Sequence, residues 1–298
     1  MTNKHIIYIP GKNPKPLPEQ HKELLWKTMM EGIRRADEHT AKALQEQFAQ
    51  FHLISWNHLF YNTYKDITPD IPWIDALINQ HGPSVEDIRE ANSWGAHLSR
   101  ILFTLADHMH FLIPLLPREV ESAAKEINHY FNNVNNIAYD IRGLVKNELR
   151  PIIAKNEPVL LIGHSLGSVI AYDSLWELTH EENLQGKVDL LTIGSPLGMH
   201  YVRRHLLGLN GHGKISYPKL IRQWINISSE GDLIALERNF HVVFEEMLKQ
   251  KLLNSIEDHS HGIYNYFHND EGLNCHRSYG YLVNPAVGNS IAHWWKTN

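Results

Sequence analysis

Several short runs of the chain are rich in apolar and β-branched residues, continuously so at Val159–Ile162, and residues at helical spacing separate them. His5–Ile9 (HIIYI), Phe51–Trp56 (FHLISW), Val159–Ile162 (VLLI), Val188–Ile193 (VDLLTI) and Ile221–Ile227 (IRQWINI) carry this signature. Runs without polar alternation are typical of strands covered on both faces, as in a parallel sheet. After the first run, Leu24, Leu25, Met29, Ile33 and Ala36 recur every three or four positions with charges between them, which predicts a helix from Glu19 to about Gln50. Val120, Ala124, Ile127, Phe131, Val134, Ala138, Ile141 and Val145 alternate in steps of four and three. That single apolar stripe predicts a long helix lying on the sheet and ended by Pro151. Ser168–Leu178 and Phe240–Leu253 read as further helices, Tyr264–Phe267 as the last strand, and Asn284-Pro285 as the start of a terminal helix. Strands alternating with helices almost end to end predict an α/β fold with a doubly wound, mostly parallel sheet flanked by helices.

The alternation lapses between Asp66 and Pro117. Pro69, Pro72 and Pro83 precede Ser84-Val85-Glu86-Asp87, an approximate capping box that opens a helical stretch through Ile88, Ala91, Leu98, Ile101, Leu102 and Leu105. Residues 66–117 therefore read as a helical cap inserted into a single domain of residues 1–298. Its bulky apolar residues, among them Trp73, Trp94, Phe103 and Phe111, are numerous enough to line an acyl pocket as well as a small core.

Composition narrows the function classes. Lys plus Arg is 28 and Asp plus Glu 33, a formal net charge of −5, and no basic cluster interleaved with aromatics offers a nucleic-acid surface. Cys275 is the only cysteine, so an intramolecular disulfide and a cysteine-based zinc site are excluded. The opening MTNKHIIYIPG lacks the apolar core and cleavage site of a signal peptide, which with the single thiol gives a cytoplasmic expectation. Ile101–Leu116, the most apolar stretch, is broken by Asp107, His108, His110 and Pro114 and is too short and polar for a transmembrane span. The pairs His108/His110 and His259/His261 lack a third ligand at recognisable spacing, so no metal is expected. Gly208–Lys214 matches the first seven positions of a phosphate-binding loop. However, Ile215 stands where a Mg²⁺-binding Ser or Thr belongs, and Tyr201–Leu207 is no buried strand, so no nucleotide cofactor is expected.

The chemistry concentrates in Gly163-His164-Ser165-Leu166-Gly167, between the apolar run at 159–162 and a helix. A serine at a sharp strand-to-helix turn exposes its hydroxyl above the sheet. Glycines two positions before and after remove side chains that would strike the strand and the helix. The following helix turns its N-terminal amides toward the site, so the Leu166 N–H can stabilise an oxyanion. Placed this way, Ile162–Ser168 resembles the nucleophile elbow of the α/β-hydrolase superfamily.

That resemblance implies a serine, acid, histidine order along the chain. The acid would follow the Ile221–Ile227 strand, in Ser228-Ser229-Glu230-Gly231-Asp232, with Asp232 preferred and Glu230 its competitor. Of 21 histidines, His241, His259, His261, His268, His276 and His293 lie beyond Asp232. His241 and His293 fall in helical patterns that suggest packing. His276 opens a segment, His276–Val287, that resembles the histidine loop of bacterial members; His261 and His268 come next. The loop after the first strand would supply a second oxyanion donor, the amide of Gly11 or Lys12. Ser195-Pro196 after the Val188–Ile193 strand resembles a loop of lipase-like members, though a helix N-terminus with Pro in its first turn is the preferred reading. The expected activity is that of a serine hydrolase acting on a small-molecule carboxylic ester or thioester through an acyl-enzyme on Ser165. An acyltransferase with the same residues and a non-catalytic binding protein of the same fold are the alternatives.

Overall fold

The apolar runs become adjacent strands. A computed structural model describes residues 3–93, 126–209 and 216–298. Its main sheet is built from β1 (His5–Ile9), β2 (Phe51–Leu53), β3 (Val159–His164), β4 (Val188–Ile193), β5 (Ile221–Ile227) and β6 (Ser255–His259), paired in parallel in the order β2-β1-β3-β4-β5-β6. Among the described residues, four long helices cover the sheet: α1 (Pro18–Ala36), α2 (Ile137–Ala154), α3 (Leu166–His180) and α4 (Pro285–Thr297). Ile6, Tyr8, Leu160 and Ile162 point into the core shared with α1 and α4, while Ile7, Ile9, Val159 and Leu161 point into the core shared with α2 and α3. Both faces of β1 and β3 are thus buried, which is why their sequences show no polar alternation. The six-stranded parallel sheet flanked by helices is the α/β-hydrolase architecture.

Some elements depart from expectation. The helix expected from Glu19 to Gln50 breaks at Asp37, which turns extended (φ −155°, ψ 94°) and accepts from the Thr40 amide to cap a separate helix, Glu38–Leu44. The second strand stops at Leu53, three residues short of Trp56, whose indole N–H bonds the Pro10 carbonyl instead. The long stripe helix is interrupted by Asn133, Asn135 and Asn136, all left-handed, before α2 begins. Pro151 lies inside α2 and does not end it; three residues from the terminus it removes only one N–H, and the helix runs to Ala154. Phe240–Leu253 forms two short helices, Phe240–Val243 and Glu245–Lys249. Tyr264–Phe267 is not a strand: Tyr264 makes one isolated bridge to Glu230, and the edge position belongs to β6.

Within the expected cap, Ser84 and Asp87 do form a reciprocal capping box, opening the helix Val85–Ala91. Residues 94–117 of that cap lie outside the described residues, as do 210–215 of the Gly208–Lys214 segment.

The connections leave β1 and β3 in opposite directions, toward β2 on one side and β4 on the other. This places a topological switch point between their carboxyl ends, where such sheets bind ligands. Behind the sheet, α1 and α4 touch backbone to backbone: a Cβ on Gly288 would lie 2.0 Å from the Gly32 carbonyl oxygen. Backbone cannot yield as a flexible side chain can, so Gly288→Ala should destabilise the protein by about 3 kcal/mol or more. Denaturant unfolding of the two proteins measures this, and an unchanged midpoint would contradict the packing described.

Candidate active site

Ser165 stands at the first position beyond β3, with φ 53° and ψ −127°, and α3 begins at the next residue. Both flanking glycines are sterically required. A Cβ on Gly163 would lie 2.6 Å from the Ser168 Cα, and one on Gly167 would lie 2.2 Å from the Ile9 carbonyl oxygen. The turn is braced by the Ser165 amide donating to the Ile193 carbonyl (3.2 Å) and by the Ser168 hydroxyl donating to the Ser165 carbonyl (2.6 Å). Ser168 also contacts the Ser195 hydroxyl at 2.7 Å, and Ser195 accepts from the Leu197 amide. Ser195-Pro196 is therefore a turn that supports the elbow, and the next helix starts only at His200.

The remaining sequence-selected residues come from loops beyond other strands. His276 Nε2 lies 2.8 Å from Ser165 Oγ, and its Nδ1 lies 2.8 Å from Asp232 Oδ2. An ionised carboxylate can only accept, so Nδ1 carries the ring proton and Nε2 is left to accept from the serine hydroxyl. Asp232 Oδ1 accepts from the amides of Ile234 (2.9 Å) and Ala235 (3.3 Å), and Oδ2 also accepts from the Tyr281 hydroxyl (2.5 Å). Burial by itself would raise this carboxyl. The His276 ring, Tyr281 and the Ile234 amide outweigh burial and hold it at about 2.

The competing residues are engaged elsewhere. Glu230 pairs with Arg238 at 3.0 Å, and its amide donates to the Ile263 carbonyl. His268 pairs with Asp87 at 2.6 Å, while His261 is exposed in a turn. His241 and His293 are also exposed, so the packing role suggested by their helical patterns does not hold.

Gly11 meets the serine from β1: a Cβ there would lie 2.8 Å from the Ser165 Cβ and 2.9 Å from His164 Nδ1. Its carbonyl is held by the Asn57 side chain at 2.8 Å, so the loop carrying the Gly11 and Lys12 amides is tied down beside the elbow. Leu166, buried at the start of α3, follows the serine directly.

Three participants escaped the sequence. Tyr281 donates to Asp232 while accepting from the Ser229 amide at 2.9 Å. His164 Nε2 donates to the His276 carbonyl at 2.9 Å, and burial, then His276 and Lys15, keep that ring neutral. Gly194, at φ +55°, leaves the space beside Asp232 and His276 that a Cβ would occupy at 3.0–3.2 Å. Tyr281 and Gly194 sit in no motif, and His164 occupies a position that the elbow motif leaves open. The only signal was proximity in sequence, with His164 inside the elbow and Tyr281 five residues past His276.

Elbow, sheet and chain order together are those of the α/β-hydrolase fold. Residues 91–234 match the family model for Lipase (class 3), a span that contains Ser165 and Asp232 and supports a lipase-like hydrolase. No curated protein and no solved structure matches the chain.

The depressed Asp232 carboxyl stabilises the folded state at pH values above the ordinary 3.8, and that stability is lost as pH falls through about 2. Between pH 5 and pH 2 the protein should lose on the order of 2 kcal/mol more stability than its Asp232→Asn variant. Urea unfolding at stepped pH checks this; parallel losses in the two proteins would show that Asp232 is not held ionised.

Proposed function

We propose that the chain is a serine hydrolase that cleaves a carboxylic ester or thioester through an acyl-enzyme on Ser165. The observation that carries the reading is the relay of two 2.8 Å contacts from Asp232 through His276 to a serine in left-handed backbone geometry.

Ser165 Oγ attacks the carbonyl carbon as its proton passes to His276 Nε2, and the carbonyl π pair becomes an oxyanion. The Leu166 amide, with that of Gly11 or Lys12, donates to the oxyanion. The intermediate collapses when Nε2 returns the proton to the departing alkoxide or thiolate. Water then attacks the acyl carbon, gives its proton to Nε2, and Ser165 leaves with that proton restored. Asp232 accepts from Nδ1 throughout, fixing the tautomer and stabilising the imidazolium.

Ser165 should label with a fluorophosphonate and Ser165→Ala should not. Equal labelling of both would defeat the reading. Asp232→Asn should lower kcat by on the order of 10³ to 10⁴, because an amide can lock the wrong imidazole tautomer, whereas Glu230→Gln should cost little. His276→Ala and Ser165→Ala should fall to a common residual rate, with the double variant no worse than either. Steady-state kinetics on an ester series reads all of these, and a damaging Glu230→Gln would move the acid two residues back.

A further inference from the structure

Beside the Ser165 relay the fold gathers four basic side chains from three separate segments. Lys12 and Lys15 lie in the loop after β1, Lys65 lies in the segment before Asp70, and Arg277 directly follows His276. The segments are stitched together: the Lys65 amide donates to the Lys15 carbonyl at 2.8 Å, and Lys15 Nζ donates to the Lys12 carbonyl at 2.7 Å. Asp70 Oδ2 accepts from Lys65 Nζ at 2.6 Å and also from Arg277 Nη2. Lys12 lies 3.7 Å from Glu126.

The guanidinium of Arg277 sits 5.4 Å from the ring centres of both Phe267 and Tyr279, and its Nε is buried with no hydrogen-bond partner among the described residues. Among the described residues these four basic groups face two carboxylates, Asp70 and Glu126, and Lys15 pairs with neither.

This arrangement is costly without an anion. Burial, then the like charges of Arg277, Lys65 and Lys12, push the Lys15 ammonium down to about 7 in spite of Glu126. Burial first, and then Lys15 among its neighbours, also disfavours protonation of His21 and His164. The cluster is neither sealed nor fully solvated: the side chains of Lys12, Arg277 and Lys65 are 18%, 25% and 39% exposed. A solute can reach them, and water screens them only in part.

Position ties the cluster to the nucleophile. Lys12 adjoins Gly11, which packs on Ser165, and Arg277 adjoins His276.

We propose that Lys12, Lys15, Lys65 and Arg277 form a subsite for an oxyanion, a carboxylate or phosphate, borne by the ester that Ser165 cleaves. The substrate part rests on the hydrolase reading; the anion site does not. The substrate is then an ester whose acyl or leaving portion ends in a charged group a few bonds from the scissile carbonyl.

Sulfate is the probe for the site itself, because it stays a dianion across the pH range used. Calorimetric titration of sulfate into Ser165→Ala protein should show saturable binding to one site. The affinity should weaken about tenfold in Lys15→Met and in Lys65→Met, the loss of one charge-assisted hydrogen bond, and should be retained in Lys15→Arg. It should also fall as pH rises from 6 to 8.5, since Lys15 releases its proton there. The charged and titratable groups facing Lys15 are Lys12, His21, Lys65, Glu126, His164 and Arg277, with the two histidines neutral throughout. Absence of saturable binding, or equal affinity in the methionine variants, overturns the site.

Matched ester pairs test the substrate and separate its two sources. Nitrophenyl hydrogen glutarate against nitrophenyl valerate places a carboxylate on the acyl side, and lysophosphatidate against monoacylglycerol places a phosphate on the leaving side. In at least one pair kcat/KM should favour the anionic member by about tenfold, and Lys15→Met should erase the ratio. Sulfate binding without cleavage of any ester keeps the anion site and overturns the hydrolase reading. Cleavage without preference in either pair keeps the hydrolase reading and overturns the substrate assignment.

Discussion

Ser165 holds φ 53° and ψ −127°, a geometry that costs a non-glycine residue on the order of 1–3 kcal/mol and persists only where neighbours leave no alternative. Here the neighbours come from three strands. Gly167 presses on the end of β1, the serine amide reaches the Ile193 carbonyl at the end of β4, and the serine itself directly follows β3. The strain is thus held by the most deeply buried part of the sheet, whose strands are packed on both faces. That is also why β1 and β3 must be neighbours. Only at their shared carboxyl edge can a loop from one lie within van der Waals distance of a side chain presented by the other.

What could be read from the sequence follows from how local each feature is. The elbow was legible because strand, glycines, serine and helix occupy one continuous stretch, and the buried strands were legible because they lack alternation. Asp232 is placed by chain order and His276 by chain order together with its segment's resemblance to a histidine loop, and nothing in Ser228–Asp232 separates Asp232 from Glu230 until Arg238 is seen to occupy the latter. β6 is hidden in the sequence because an edge strand keeps polar residues: in Ser255-Ile256-Glu257-Asp258-His259 only Ile256 is buried. Asn133, Asn135 and Asn136 broke a helix whose apolar stripe continued across them, since side-chain periodicity says nothing of left-handed backbone.

The cation cluster was illegible for the same reason at longer range. Lys15, Lys65 and Arg277 are spread along almost the whole chain, in a protein whose net charge is negative. Only the hydrogen bond from the Lys65 amide to the Lys15 carbonyl and the shared Asp70 make them neighbours. Overall charge excludes a broad basic face but does not constrain a local pocket, because fields at a partly buried site are set by the nearest few groups.

The relay also depends on keeping a carboxylate ionised where water does not reach it. Asp232 is 1% exposed, and an unpaired charge at that depth would protonate and leave the imidazole without an acceptor. Two donors are backbone amides of its own loop, Ile234 and Ala235, and the other two are side chains from one short segment, His276 and Tyr281. Tyr281 in turn accepts from Ser229, so its hydroxyl fastens the acid loop to the helix Ser278–Leu282 that begins two residues after the histidine. His276 and Tyr281 therefore reach the carboxylate from one continuous segment. A displacement that lengthened the His276–Asp232 contact would also draw Tyr281 from the carboxylate, leaving two buried partners unsatisfied together. The steep cost of that joint loss holds the imidazole in register with a serine whose own position is set independently by the sheet.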